Sequence, residues 1–188
     1  MIPYTVERRS DTGVNNVTFG IWLFLASEVM LFGALFSAYA LLRVSAPEWP
    51  VGRDVLSLTF GAVNTVLLFL MTGTAWRARS APTAQARKWL AASSLFALAF
   101  VGVKGAEWLA EIGAGLVPSV STFWGMYYTL TGLHAAHVIG GLVANAWALS
   151  GGRRVGDLMT AERFRALALY WAFVDAVWIV IFVLLYLT

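Results

Sequence analysis

Six ionisable side chains sit where chemistry could proceed away from water: Glu28, Lys104, Glu107, His134, His137 and Asp175. Each falls inside a long apolar run, where an ionisable group costs roughly 3 kcal/mol or more and so needs a partner or a purpose. Lys104 and Glu107 are three residues apart, which puts them on one helical face within reach of a local ion pair. His134 and His137 share that spacing and invite a metal reading, which donor arithmetic tests. A structural zinc site takes four protein ligands and a catalytic one three. A di-iron bundle takes Glu-x-x-His from two helices, and two axial haem ligands generally come from separate helices. With two His and no Cys, this chain alone is expected to hold no metal, and the two imidazoles are expected to hydrogen-bond across a bundle. The lack of Cys also excludes disulfides, iron–sulfur clusters, thiolate metal sites and Cys nucleophiles.

Glu28 and Asp175 each have two readings. Either is a proton-handling or ligand-contacting carboxylate, or a carboxyl group hydrogen-bonded to a neighbouring helix. The structural reading is favoured, because neither helix carries a second mid-membrane carboxylate to continue a relay. At a rise of about 1.5 Å per residue, Glu28, Asp175 and His134 lie about 14, 15 and 18 Å along their spans. All three are near the bilayer centre, and a pairing of Asp175 with His134 would satisfy both.

The elements that carry these groups follow from composition. Of 188 residues, 60% are apolar, 14% aromatic and 12% charged, with mean hydropathy +0.74. A soluble domain carries about 25% charged residues, and disordered chains are charge-rich and aromatic-poor. The fold class expected is all-α, an integral membrane bundle forming a single domain over 1–188. Five runs are long enough to span a bilayer core: 17–42, 55–76, 89–110, 122–149 and 166–188, with the break before the fourth at Pro118 and the Ser/Thr residues that follow. Arg8, Arg9, Arg77, Arg79, Arg87, Lys88, Arg153, Arg154, Arg163 and Arg165 fall in alternate segments on one side, against Arg43 and Arg53 on the other. This bias places the N-terminus in the cytoplasm and the C-terminus outside, and it accounts for a pI near 9.5 without a nucleic-acid partner. A cleaved signal peptide is not expected, because the first run is 26 residues long and contains Glu28, whereas a signal core runs about 7–15 residues.

Rows of small residues at four-residue spacing, Gly102-Ala106-Ala110-Ala114 and Ala136-Gly140-Ala144-Ala148, are expected to face other helices. The other reading is that Ala is simply common here. Trp49, Trp76, Trp89, Trp108, Trp124 and Trp147 lie near span ends, as an interfacial belt does; Trp22, Trp171 and Trp178 lie deeper, as packing residues do.

Specific strings then stand out: Ser27-Glu28 within Gly20 to Phe32, Asn64-Thr65, Lys104-Gly-Ala-Glu107-Trp108, Thr131-Gly-Leu-His134-Ala-Ala-His137-Val138, and Tyr170-Trp171-Ala172-Phe173-Val174-Asp175. Together, from about Gly20 to Tyr186, the chain resembles subunit III of the haem-copper terminal oxidases, in a short five-helix form. The resemblance implies a non-catalytic subunit of a respiratory oxidase that reduces oxygen to water while pumping protons, in the cell inner (plasma) membrane. It implies haem and copper in partner subunits, catalytic subunit I and subunit II as partners, and structural phospholipid in a cleft between the first two helices and the other three. It also implies support of proton uptake and of the oxidase's durability. Glu28, Arg153 and Arg154 are the lipid-binding candidates, the arginines because guanidinium binds phosphate bidentately; plain topology signalling is their other reading. Glu28, Asn64, Lys104, Glu107, His134, His137 and Asp175 form the expected intramembrane polar network. Two positions depart from the family pattern: Ala172 stands where His is usual, and Lys104 where Gln is frequent. Two alternatives stay open, a similar accessory protein of a nitric oxide reductase and a small proton-coupled transporter. The latter is disfavoured by the lack of an internal repeat.

Overall fold

A computed structural model describes Ser10, residues 13–151 and residues 157–188. Among the described residues every regular element is helical: α1 (Asn16–Ser45), α2 (Gly52–Val55), α3 (Leu58–Ser80), α4 (Thr83–Gly113), α5 (Thr122–Gly151) and α6 (Asp157–Phe182), the last continuing into a π-helical turn, Val183–Leu187. Four helices are long and apolar enough to cross a membrane: Asn16–Ser45, Leu58–Ser80, Thr83–Gly113 and Thr160–Leu187. The fifth, α5, is 30 residues long and uncharged, with His134, His137 and Asn145 lowering its apolarity.

Most of the long helices run past the apolar limits that mark them in sequence, while α3 starts inside its run, at Leu58, because local capping rather than hydropathy sets their ends. Asn15 caps α1, its side-chain oxygen accepting the Thr18 N–H at 2.8 Å, as N-cap Asn does. Pro82 cannot continue α3 and the preceding Ala81 is extended, so α3 and α4 form a hairpin with a two-residue link. At the far end of α4, Gly115 adopts φ +80°. Its N–H bonds Ile112 O at 2.9 Å and the Leu116 N–H bonds Glu111 O at 2.9 Å, the paired bonds of a Schellman stop.

α6 is the hub. It packs against α1, α3, α4 and α5, while α3 and α4 pair closely and α1 rests on α6 and α5. Trp171 and Trp178 of α6 are fully buried, together with Phe100, Tyr127, Leu130 and Val138. Close approach is tightest at two glycines. A Cβ on Gly141 would lie 2.4 Å from the Trp171 ring, and one on Gly52 would lie 1.7 Å from Leu185 O. α1 buries only Leu25, Phe32 and Tyr39, a heptad seam.

Three expectations are corrected here. On α4, Gly102, Ala106, Ala110 and Ala114 face outward; on α5, Ala136 and Gly140 are exposed and only Ala148 is buried. The reason is rotational. Successive residues turn about 100°, so burying Lys104 and Glu107 swings Gly102 and Ala106 to the other side, and burying His134 does the same to Ala136. Trp22 is 57% exposed rather than packed, and Trp124, at the start of α5, is buried. Finally, α1 and α3 do not pack as a pair of their own, and each packs on α6.

Candidate functional site

The densest polar constellation joins α4, α5 and the π-helical turn. Lys104 and Glu107, both buried, form an ion pair at 3.0 Å. The Lys104 ammonium also donates to the Tyr127 hydroxyl at 3.0 Å and the Tyr186 hydroxyl at 2.7 Å. Both phenols in turn donate to Glu107 Oε1, at 3.0 and 2.6 Å. All three ammonium protons thus have acceptors, and the carboxylate accepts on both oxygens. Such closure is what permits a charge pair to stay buried. The Tyr127 and Trp178 rings lie 4.6 and 5.7 Å from the ammonium. The π-helical turn brings Tyr186 to this cluster. It is held by the Tyr39 hydroxyl donating to Leu184 O at 2.6 Å and by Arg43 bonding Thr188.

A second constellation joins α1 to α5. His137 Nε2 lies 2.8 Å from Glu28 Oε2, and its Nδ1 lies 2.8 Å from Leu133 O. A carbonyl only accepts, so Nδ1 carries hydrogen and donates. Nε2 and the Glu28 carboxyl then share one proton, held on either the nitrogen or the oxygen. The Tyr170 hydroxyl donates to His137 O at 2.7 Å, and the Phe32 ring stands edge-on to the imidazole at 5.0 Å. The pair retains about 15% side-chain exposure, so it borders open space rather than the core.

Tyr170, which donates to His137 O, also lines an apolar cleft of about 850 Å³ bounded by Val17, Ile21 and Phe24 of α1, Gly140, Ala144, Trp147 and Ala148 of α5, and Arg163 and Leu167 of α6. The small residues of α5 form part of its wall. At the arginine-rich end, the Arg163 guanidinium sits 4.3 Å above the Trp147 ring.

The remaining network residues stay apart. His134 is fully buried between Phe100 and Trp178, ring centroids 5.5 and 5.2 Å away, and neither ring nitrogen has a hydrogen-bond partner among the described residues. The expected Asp175–His134 pair does not form. Asp175 lies beside Thr72, its Oδ1 unpartnered, and both polar atoms of Asn64 are likewise unpartnered among the described residues. Depth along two helices does not determine whether two side chains face each other, and a Trp178 ring fills the space beside His134. The two imidazoles point to different neighbours, and no third metal donor joins either among the described residues. The donor set does not fit haem or copper, and no redox step is assigned to this chain. Arg153 and Arg154 lie outside the described residues.

Sequence reading missed Tyr127, Tyr186, Tyr170 and Arg163. It also missed the chain in which Trp171 Nε1 donates to Asn145 Oδ1 at 3.2 Å and Asn145 Nδ2 donates to Ser94 Oγ at 3.0 Å. The available signal for the tyrosines was a phenol within an apolar run, which usually finds a partner.

The profile of the family described as cytochrome c oxidase subunit III matches residues 7–188. A cytochrome bo(3) ubiquinol oxidase subunit 3 of Pseudomonas aeruginosa is 34% identical, covering 96% of this chain and 88% of the relative. A cytochrome c oxidase subunit 3 of Synechocystis is 34% identical, covering 90% and 74%. A fused haem-copper oxidase subunit I+III of Aeropyrum pernix is 34% identical, covering 89% of this chain and 22% of the longer protein. The long apolar helices and these relatives make it a multi-pass protein of the bacterial plasma membrane. A full-length profile match and relatives this similar leave one assignment: the chain belongs to the cytochrome c oxidase subunit III family.

Proposed function

We propose that this chain is the non-catalytic subunit III of a respiratory haem-copper oxidase, packing against catalytic subunit I, which carries haem and copper, with subunit II in the same complex. The oxidase reduces oxygen to water and pumps protons. This subunit contributes a phospholipid site and stabilises the catalytic subunit and its proton uptake. Five spans, with α5 as the fourth, put the N-terminus and the arginine-rich ends of α3, α4 and α6 in the cytoplasm. The fused subunit I+III relative supports the partnership with subunit I.

The observation that carries the lipid reading is the α1/α5/α6 cleft. Its walls are apolar, and an arginine stacked on tryptophan stands at its arginine-rich end. An acyl chain takes the apolar wall, and the guanidinium takes the phosphate. On this reading the lipid lies beside α1, rather than between the first two helices and the other three. The test is Ala144→Phe, which fills the cleft from α5. Phospholipid retained by the purified oxidase should fall while haem content and subunit stoichiometry hold. Unchanged lipid content in an assembled A144F complex overturns the lipid site, and failure of the chain to co-purify with a haem-bearing subunit overturns the subunit reading itself.

A further inference from the structure

A second cavity, of about 740 Å³, opens on another flank of α1, at the arginine-rich end. Its walls come from the start of α1, the last turn of α3 and the first turns of α6, and include Thr18, Arg79, Ser80, Glu162 and Arg165. It shares no lining residue with the lipid cleft described above.

Two guanidinium groups converge on it from different helices. Arg165 donates through Nη1 to Glu162 Oε1 at 2.6 Å, which ties down one edge of its fork and leaves other N–H groups free. Arg79 is held by stacking, its Cζ 4.2 Å from the Trp76 ring, and it has no carboxylate partner among the described residues. The hydroxyls of Thr18 and Ser80 add neutral donors to the same walls. Two cations and one carboxylate leave the cavity with a net charge of +1. Stacking and the ion pair restrict both side chains before any ligand arrives, which lowers the ordering cost of binding. Fixed guanidinium forks match the oxygens of a phosphate, and one surplus positive charge matches a singly charged phosphodiester better than a dianion.

The geometry points to a binding site for a phosphate-bearing monoanion in this cavity, held bidentately by Arg79 and Arg165. Two sources supply that chemistry, the headgroup of an anionic phospholipid from the adjacent leaflet and free phosphate from the aqueous phase. Basic residues that merely set topology would bind neither with any preference for position. Arg77 provides the comparison: it lies two residues from Arg79, with its guanidinium 5.1 Å from the Trp89 ring, and it does not line the cavity.

The experiment uses the whole purified oxidase in detergent. Phosphatidylglycerol or phosphatidylcholine is titrated in, and bound lipid is counted by native mass spectrometry, with and without millimolar inorganic phosphate. The expected result is preferential retention of phosphatidylglycerol, weakened at least fivefold in R79Q/R165Q and unchanged in R77Q. Displacement of phosphatidylglycerol by inorganic phosphate identifies an aqueous source as competent. Retention insensitive to phosphate identifies the lipid headgroup. Both outcomes support the site. Equal retention in R79Q/R165Q and wild type overturns it, as does an equal loss in R77Q. R79K/R165K, which keeps both charges but removes the forks, is read by the same criterion. It should retain less phosphatidylglycerol than wild type, and wild-type retention there overturns bidentate recognition. The cleft variant A144F separates this site from the first, because it should leave the R79/R165-dependent retention intact.

Discussion

Lys104 is tolerated in the membrane because every one of its protons is accepted and every acceptor is itself tied to Glu107. Removing one charge strands the other. Lys104→Met is expected to destabilise the subunit by about 3 kcal/mol or more, and K104M/E107L by less than either single change, because an apolar pair leaves no uncompensated charge. Tyr186→Phe removes one donor to Glu107 and one acceptor for Lys104 and should cost about 1–2 kcal/mol. Unfolding of the detergent-solubilised protein by denaturant ranks the four variants, and a double mutant worse than both singles would contradict the closed-network account. At this scale the sequence was half legible. The Lys104–Glu107 pair follows from three-residue spacing on one helix, since both partners move together. Tyr127 and Tyr186 are 20 and 79 residues from Glu107, and only the packing of three helices brings them in. Glu28 was singled out correctly as a group needing a partner, but His137 could not be named as that partner without knowing how α1 lies on α5.

At the level of elements, helix rotation is dictated by the polar face, and the small residues follow. Gly102→Leu on α4 faces open space and should change the isolated subunit's stability by less than about 0.5 kcal/mol apart from helix propensity. Gly141→Ala meets the Trp171 ring at 2.4 Å, and Gly52→Ala meets a backbone carbonyl at 1.7 Å. The first should cost about 1–3 kcal/mol as an overpacking change. The second should cost more, because backbone oxygen cannot swing aside as a side chain can. Thermal unfolding of the three variants should give that order. Hydropathy located the long helices but not their ends. Pro82 and Gly115 govern the ends through a missing N–H and a left-handed backbone, and neither residue changes average hydropathy enough to mark a boundary. The four-residue periodicity of small residues was read as a contact face. Lys104 and His134, nearly opposite on their helices, had the stronger claim to the interior.

The whole molecule is organised around α6, with α3 and α4 as a tight hairpin on one side and α1 on another. The absence of cysteine from the sequence makes the proposed five-span topology directly measurable. In intact cells, a membrane-impermeant maleimide should label Ser119→Cys, between α4 and α5, and leave Ala81→Cys, between α3 and α4, unlabelled until the membrane is opened. The reverse pattern would invert the orientation and move both arginine-lined sites to the other leaflet. The all-helical, lipid-embedded class was readable from composition alone. The order of packing was not, because nothing in an apolar run records which neighbour it meets.

The hydroxyl of Tyr39 bonds to Leu184 across 145 residues of sequence, and Glu28 finds His137 across 109. During synthesis, therefore, α1 must enter the bilayer and wait. Its carboxyl group has no imidazole until α5 is inserted, and its heptad seam has no hub until α6 arrives. For that interval Glu28 is an intramembrane carboxyl group without its partner, at a cost of roughly 3 kcal/mol. A polypeptide interrupted before α6 is expected to be cleared rather than stored.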